Sequence, residues 1–159
     1  MAARTLAAIA FAAALVLAPH LAAADSSGSS TVTTDPNYVA GVSAAKAGKY
    51  QEALNDFTRA LQANPKDANT LNMLGYTNRK LGNFPASLDY YQKALAIDPK
   101  HRGAHEYLGE LYLDMKQPDK AQVELKTLDD LCTFGCDEYD DLKKSITAYN
   151  AGQRPASGY

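Results

Sequence analysis

Both cysteines of this 159-residue chain lie in one short run, Cys132-Thr133-Phe134-Gly135-Cys136. Two thiols at that spacing suit a structural disulfide, a redox couple, or a pair of soft metal ligands. The disulfide is the first expectation if the chain reaches an oxidising compartment. Against the redox couple, the motif is not C-x-x-C, and no flanking Lys or His would lower a thiol pKa. Against a metal, two thiolates lack a third nearby ligand. Asp137 rather than His follows the second cysteine, which argues against haem attachment. In an unbroken helix an i, i+4 pair fits the disulfide torsion poorly. Gly135 is therefore expected to end the helix in a left-handed conformation and bend the chain back. So small a loop contributes only about 2 kcal/mol, so the bond would mainly fix the angle of whatever follows.

Other reactive residues are sparse. His101 and His105 are four apart and would share one helix face, but a usual metal site needs three or four ligands. His105 is expected to fill a large apolar position instead. Asp129, Asp130, Asp137, Glu138, Asp140 and Asp141 form an acidic cluster. It lacks the alternating spacing and glycine of a calcium loop, and reads as a solvated helix start that complements the macrodipole. The remaining carboxylates are expected on helix surfaces, where burial does not tune them for acid–base work. No Cys–His or Ser–His–Asp arrangement, phosphate loop or dinucleotide fingerprint appears. Lys plus Arg total 16 against 18 acids, a net charge of −2, which disfavours a nucleic-acid partner. The expectation is a protein with no catalytic residues, no metal and no cofactor, hence not an enzyme.

The elements that position these residues follow a period. Gly41, Gly75 and Gly109 are 34 apart; so are Pro65 and Pro99, Ala53, Ser87 and Ala121, and Ala60, Ala94 and Leu128. Each unit carries two helical apolar patterns. In the second unit, Leu71, Leu74 and Leu81 mark one helix, stopped by Gly82 and Asn83. Pro85 suits the first turn of the next, whose face continues through Leu88, Tyr91, Leu95 and Ile97. Gly75 and Ser87 are expected where two helices approach too closely for a larger side chain.

These residues resemble the tetratricopeptide repeat, a 34-residue helix–turn–helix unit. The second unit supplies Leu71, Leu74-Gly75, Ser87, Tyr91, Ala94 and Pro99; the third supplies Leu108-Gly109, Tyr112 and Ala121; the first supplies Gly41, Ala53, Phe57, Ala60 and Pro65. Asn78 and His105 depart from the pattern. The resemblance implies an all-α fold, a right-handed superhelical solenoid of three repeats at about 34–67, 68–101 and 102–135. A capping helix over 136–151 would follow, with Tyr139, Leu142, Ile146 and Tyr149 on its apolar stripe, and then a disordered tail over 152–159.

In this family the first helix of each pair lines a concave groove that binds proteins or peptides. Carried over, the inward positions are Tyr38, Val42, Ala45 and Lys46, then Asn69, Asn72, Met73, Tyr76, Arg79 and Lys80, then Glu106, Tyr107, Glu110 and Asp114. Aromatic side chains would anchor a partner. Arg79 and Lys80 would face, and could simply pair with, Glu106, Glu110 and Asp114. Chaperone-binding members clamp a C-terminal carboxylate with Lys, Asn and Arg side chains. The matching positions here hold Tyr38, Val42, Met73, Gly103 and Tyr107, so that clamp is expected to be absent.

Met1 to Ala24 has the layout of a secretory signal peptide: Arg4, an Ala/Leu-rich run from Thr5 to Ala18, and small residues up to Ala24. Cleavage is expected between Ala24 and Asp25, leaving a flexible Ser/Thr/Gly linker to residue 36. The resulting expectation is an exported, periplasmic or secreted adaptor that binds a protein or peptide and does not insert in the membrane. The alternatives are a small thiol-redox or metal-handling protein using Cys132 and Cys136, and a subunit that associates with itself.

Overall fold

The computed structural model describes residues 35–153. The signal-peptide and linker segments up to residue 34, and the tail from residue 154, lie outside the described residues.

Seven α-helices make up the described chain: α1 (Pro36–Lys46), α2 (Tyr50–Ala63), α3 (Ala68–Lys80), α4 (Phe84–Ile97), α5 (Arg102–Asp114), α6 (Pro118–Leu131) and α7 (Asp137–Asn150). Short connections pair α1 with α2, α3 with α4 and α5 with α6, and each pair packs on the next. The result is an all-α helical repeat fold, closed by α7 lying on α5 and α6.

Chain punctuation repeats with the period. The Asp35 side chain accepts the amides of Asn37 and Tyr38, Asp67 accepts that of Thr70, and His101 accepts that of Ala104. These acceptors cap the first helix of each pair, whose opening N–H groups have no partner within the helix. The second helices have no side-chain cap, and α4 and α6 begin instead with proline in the first turn. Each first helix leaves through a residue in the left-handed region: Gly48 (φ 72°), Gly82 (φ 78°) and Lys116 (φ 59°), 34 apart. Lys116 thus occupies a backbone conformation that suits glycine.

Within pairs, the small residues set the spacing. A Cβ on Gly41 would lie 2.7 Å from the Phe57 ring, and one on Gly75 would lie 2.5 Å from the Tyr91 ring. Phe57 and Tyr91 are fully buried and also 34 apart. Ser87 is buried beside Gly75, and its hydroxyl donates to the Gly75 carbonyl at 2.8 Å. In the third pair the equivalent ring is replaced by Leu125. The space beside Gly109 is filled from α7, where Leu142 Cδ2 would be 2.5 Å from an added Cβ. Leu142 and Ile146 are buried against Leu113, Ala121, Leu125 and Leu128, with Tyr139 and Tyr149 at the margin.

Cys132 and Cys136 are disulfide-bonded. The helix-ending role expected of Gly135 is corrected: α6 stops at Leu131, before the first cysteine. Gly135, at φ 85°, instead turns the short loop, donating its N–H to the Cys132 carbonyl at 2.9 Å. Phe134 stands fully exposed at the tip. Asp137, Glu138 and Asp140 occupy the first turn of α7, where Cys136 provides no side-chain cap.

Candidate functional site

Three first helices, α1, α3 and α5, carry the inward positions, and the period aligns them in columns. Tyr38, Asn72 and Glu106 form one column; Val42, Tyr76 and Glu110 the next; Lys46, Lys80 and Asp114 a third. Each column runs from an apolar or basic residue in the first repeat to an acid in the third. The face therefore has a chemical direction along its length.

Between α1, α3 and the Tyr107 ring of α5 the face forms an open cavity of about 370 Å³, lined by Tyr38, Val42, Ala45, Lys46, Met73, Tyr76 and Tyr107. Its rings are ordered by mutual contact. Tyr76 and Tyr107 have centroids 5.2 Å apart, Tyr50 backs Tyr76 at 6.3 Å, and Tyr38 meets Phe57 at 5.6 Å. Such edge and tilted pairs are favoured by the ring quadrupoles. Tyr76 is only 3% exposed; it forms the floor rather than a free anchor, while Tyr38, Val42, Met73 and Tyr107 are half-buried around it. The Lys80 ammonium lies 5.4 Å from the Tyr76 centroid, a cation–π distance. Burial, and then the neighbouring Arg79, hold its pKa below the ordinary lysine value. Lys46 is exposed at the cavity mouth.

Toward the third repeat the face is occupied by an ion-pair bridge. Arg79, its side chain 5% exposed, bonds Glu110 through Nη2 and Asp114 through Nη1, the latter at 3.0 Å. Ser145 of α7 donates to the other Glu110 oxygen at 3.2 Å. Arg79 pairs with the third-repeat acids as the sequence allows, and Lys80 instead covers the Tyr76 ring. Glu106 does not join the bridge. It is 8% exposed, and burial, reinforced by Glu110, Asp141 and Glu138 and opposed by Arg79, pushes its carboxyl up to about 8. The expectation that carboxylates stay on helix surfaces, untuned by burial, fails at this residue.

Asn69 lies at the start of α3, where its side-chain oxygen is 3.1 Å from His101 Nε2. His101 Nδ1 accepts the Ala104 amide, so Nε2 carries the ring proton and donates to Asn69. The two histidines do not share a helix face, as their spacing alone suggested: His101 caps α5 from outside it. His105 is inside α5 and buried, but not as an apolar stand-in. Nδ1 is 2.7 Å from Glu124 Oε2 and Nε2 is 3.0 Å from the Pro99 carbonyl. Both partners are acceptors, so the imidazolium satisfies both. Burial opposes that charge, but the Glu124 and Pro99 hydrogen bonds outweigh it and raise the His105 pKa. Among the described residues, no group of three or more His, Cys, Asp or Glu side chains is placed to hold a metal ion. No helix among them is long and apolar enough to cross a membrane.

Two tetratricopeptide-repeat family profiles match the chain, over residues 38–102 and 78–143. A curated relative, Hsp70-Hsp90 organizing protein 1 from Glycine max, is 34% identical over 76 residues, which is 48% of this chain but only 13% of that protein. Among solved structures, the first TPR of Spaghetti (RPAP3) bound to the HSP90 peptide SRMEEVD aligns with TM-score 0.63 at 19% identity, covering 72% of this chain and 93% of that one. PcrH in complex with the chaperone-binding region of PopD aligns with TM-score 0.63 at 19% identity, covering 73% and 90%. The 34-residue columns, the glycine-on-ring contacts and these profile matches agree that the chain belongs to the tetratricopeptide repeat family.

Proposed function

We propose that this chain is an exported, non-enzymatic adaptor that binds a protein or peptide segment along the face formed by α1, α3 and α5. The observation that carries the reading is the aromatic cavity of Tyr38, Val42, Met73, Tyr76 and Tyr107, apolar in lining and open to solvent. Aromatic surface of this kind is where binding energy concentrates. Its rings are already ordered by neighbours, so a ligand does not bear the entropy of fixing them. Similar folds that hold an HSP90 peptide and a PopD segment support the reading. The Ala24/Asp25 cleavage layout and the paired cysteines support export.

A free C-terminal carboxylate is not the expected ligand. Tyr38, Val42, Met73, Gly103 and Tyr107 supply no cation at the clamp positions. The bound segment is instead expected to insert apolar side chains.

Panning the full chain against a displayed library of random peptides tests this. Met73→Glu, which puts a charge into the cavity wall without emptying the core, is expected to weaken selected peptides by at least roughly tenfold. Val123→Glu, on exposed α6 surface outside the cavity, is expected to leave them unchanged. Peptides indifferent to Met73→Glu would place binding elsewhere.

A further inference from the structure

The column Tyr38–Asn72–Glu106 changes character at its last two members. Asn72 is 6% exposed, and its Oδ1 has no hydrogen-bond partner among the described residues. Glu106, in the same position one repeat later, is buried, and no hydrogen bond or ion pair with it is seen among the described residues. Asn72 lies against the first turn of α5, where its Nδ2 would be 3.4 Å from a Cβ on Gly103, one turn before Glu106. One fully buried acceptor, Asn72 Oδ1, thus stands on the floor without a donor, one repeat before a buried carboxyl that is also unbonded. A buried acceptor left unpaired is costly, and buried polar groups in folded proteins are ordinarily satisfied.

We propose that this floor between α3 and α5 seats a cationic side chain, arginine by preference, of the bound polypeptide segment. The inference rests on the groove reading above and specifies what the segment carries. The surrounding charges favour it. Glu110 and, from α7, Glu138 and Asp141 surround Glu106 on the acidic side. Arg79 from α3 is already committed to Glu110 and Asp114, and Arg102, half-exposed, lies 3.5 Å from Glu138. Neither arginine bonds Glu106. A guanidinium offers five donors in a planar fork, enough for an amide oxygen and a carboxylate together. The half-buried Tyr107, next to Glu106 in sequence, adds a ring at the border of the aromatic cavity. The segment would then place an apolar side chain in the cavity and a cation one repeat further on.

Binding must ionise Glu106. With its carboxyl at about 8, roughly 1% is ionised at pH 6 and half at pH 8, so affinity should rise about fifty-fold across that range.

The experiment uses peptides selected on the full chain, measured by fluorescence polarisation at pH 6 and pH 8. The expected result is enrichment of arginine or lysine near an apolar residue, and a rise in affinity with pH. Glu106→Gln should abolish most of that rise, and replacing the peptide arginine with uncharged citrulline should do the same without touching the protein. Asn72→Asp, adding a carboxylate to the floor, should tighten binding. Selected peptides that depend on Met73 but show no cation enrichment, no pH dependence and no response to citrulline would overturn this inference and leave the groove reading standing. Peptides indifferent to Met73→Glu would overturn both.

Discussion

Gly75→Ala is a sharp test of how the repeats are held together, because two large effects oppose each other there. Alanine is better than glycine inside a helix by about 1 kcal/mol, and Gly75 lies well within α3. The new Cβ, however, would sit 2.5 Å from Tyr91 ring carbons. Comfortable carbon contacts begin near about 3.5 Å, so ring or backbone must yield by about 1 Å. The ring has no slack, being 0% exposed. Overpacking of a filled core costs about 1–3 kcal/mol. Separating α3 from α4 also stretches the 2.8 Å bond from Ser87 to the Gly75 carbonyl, worth about 1 kcal/mol. The net expectation is a loss of about 2 kcal/mol, or about 8 °C in Tm for a domain of this size. Urea unfolding at constant m-value gives the measurement. Gly103→Ala is the control. Its nearest neighbour would be 3.4 Å away, so it should be neutral or stabilising. Pairing Gly75→Ala with Tyr91→Leu, the residue type found at the matching position Leu125, should recover part of the loss. A Gly75→Ala variant as stable as the parent would refute the reasoning, since the propensity gain would then be unopposed.

Lys116→Gly should stabilise the chain by about 0.5–1 kcal/mol, read by the same urea titration, because it relieves a left-handed backbone otherwise given to glycine. Arg79→Met should cost about 2–4 kcal/mol, because Glu110 and Asp114 lose their shared cation while staying partly buried. The two histidines should act oppositely with pH. The folded pKa of His105 is raised, so its contribution is complete below the ordinary histidine value and fades as pH rises through the folded one. His101 is held below the ordinary value, first by burial, so its contribution is present above that value and fades as pH falls through the folded one. Chemical unfolding from pH 5 to 8 should therefore show Glu124→Gln costing more at the acid end than at the alkaline end. Replacing both cysteines with serine should cost about 2 kcal/mol, measured against the oxidised parent, as expected for a loop this short.

The repeat register was legible because packing imposes it on residue size. Gly41, Gly75, Phe57 and Tyr91 each have one permitted bulk, and size is written in the residue type. The inward columns followed from the same register, and the cavity residues from Tyr38 to Tyr107 lie together accordingly. Pairing was harder to read. Nothing in the spacing of His105 and Glu124 marks them as partners, since they stand 19 positions apart on two different helices. His101 looked like a helix-face residue because a cap and a first-turn side chain differ by one position and a change of backbone conformation. The surroundings of Glu106 were hidden because α7 packs beside α5 and brings Glu138 and Asp141 near it, a contact between helices far apart in sequence. One signal was available: Gly48, Gly82 and Lys116 share a register, which would have exposed the strained lysine.

Leu142 fills, from α7, the place beside Gly109 that an aromatic ring of the second helix fills in the two earlier repeats. The third pair therefore has no closed interior of its own. Leu142 stands 34 residues after Leu108, itself 34 after Leu74, so α7 meets the third pair in the register of a further first helix. The terminator is thus half a unit, and with Leu125 in place of a ring it completes the core of the pair before it. The consequence is shared stability: α5, α6 and α7 should exchange amide hydrogens as one cooperative block.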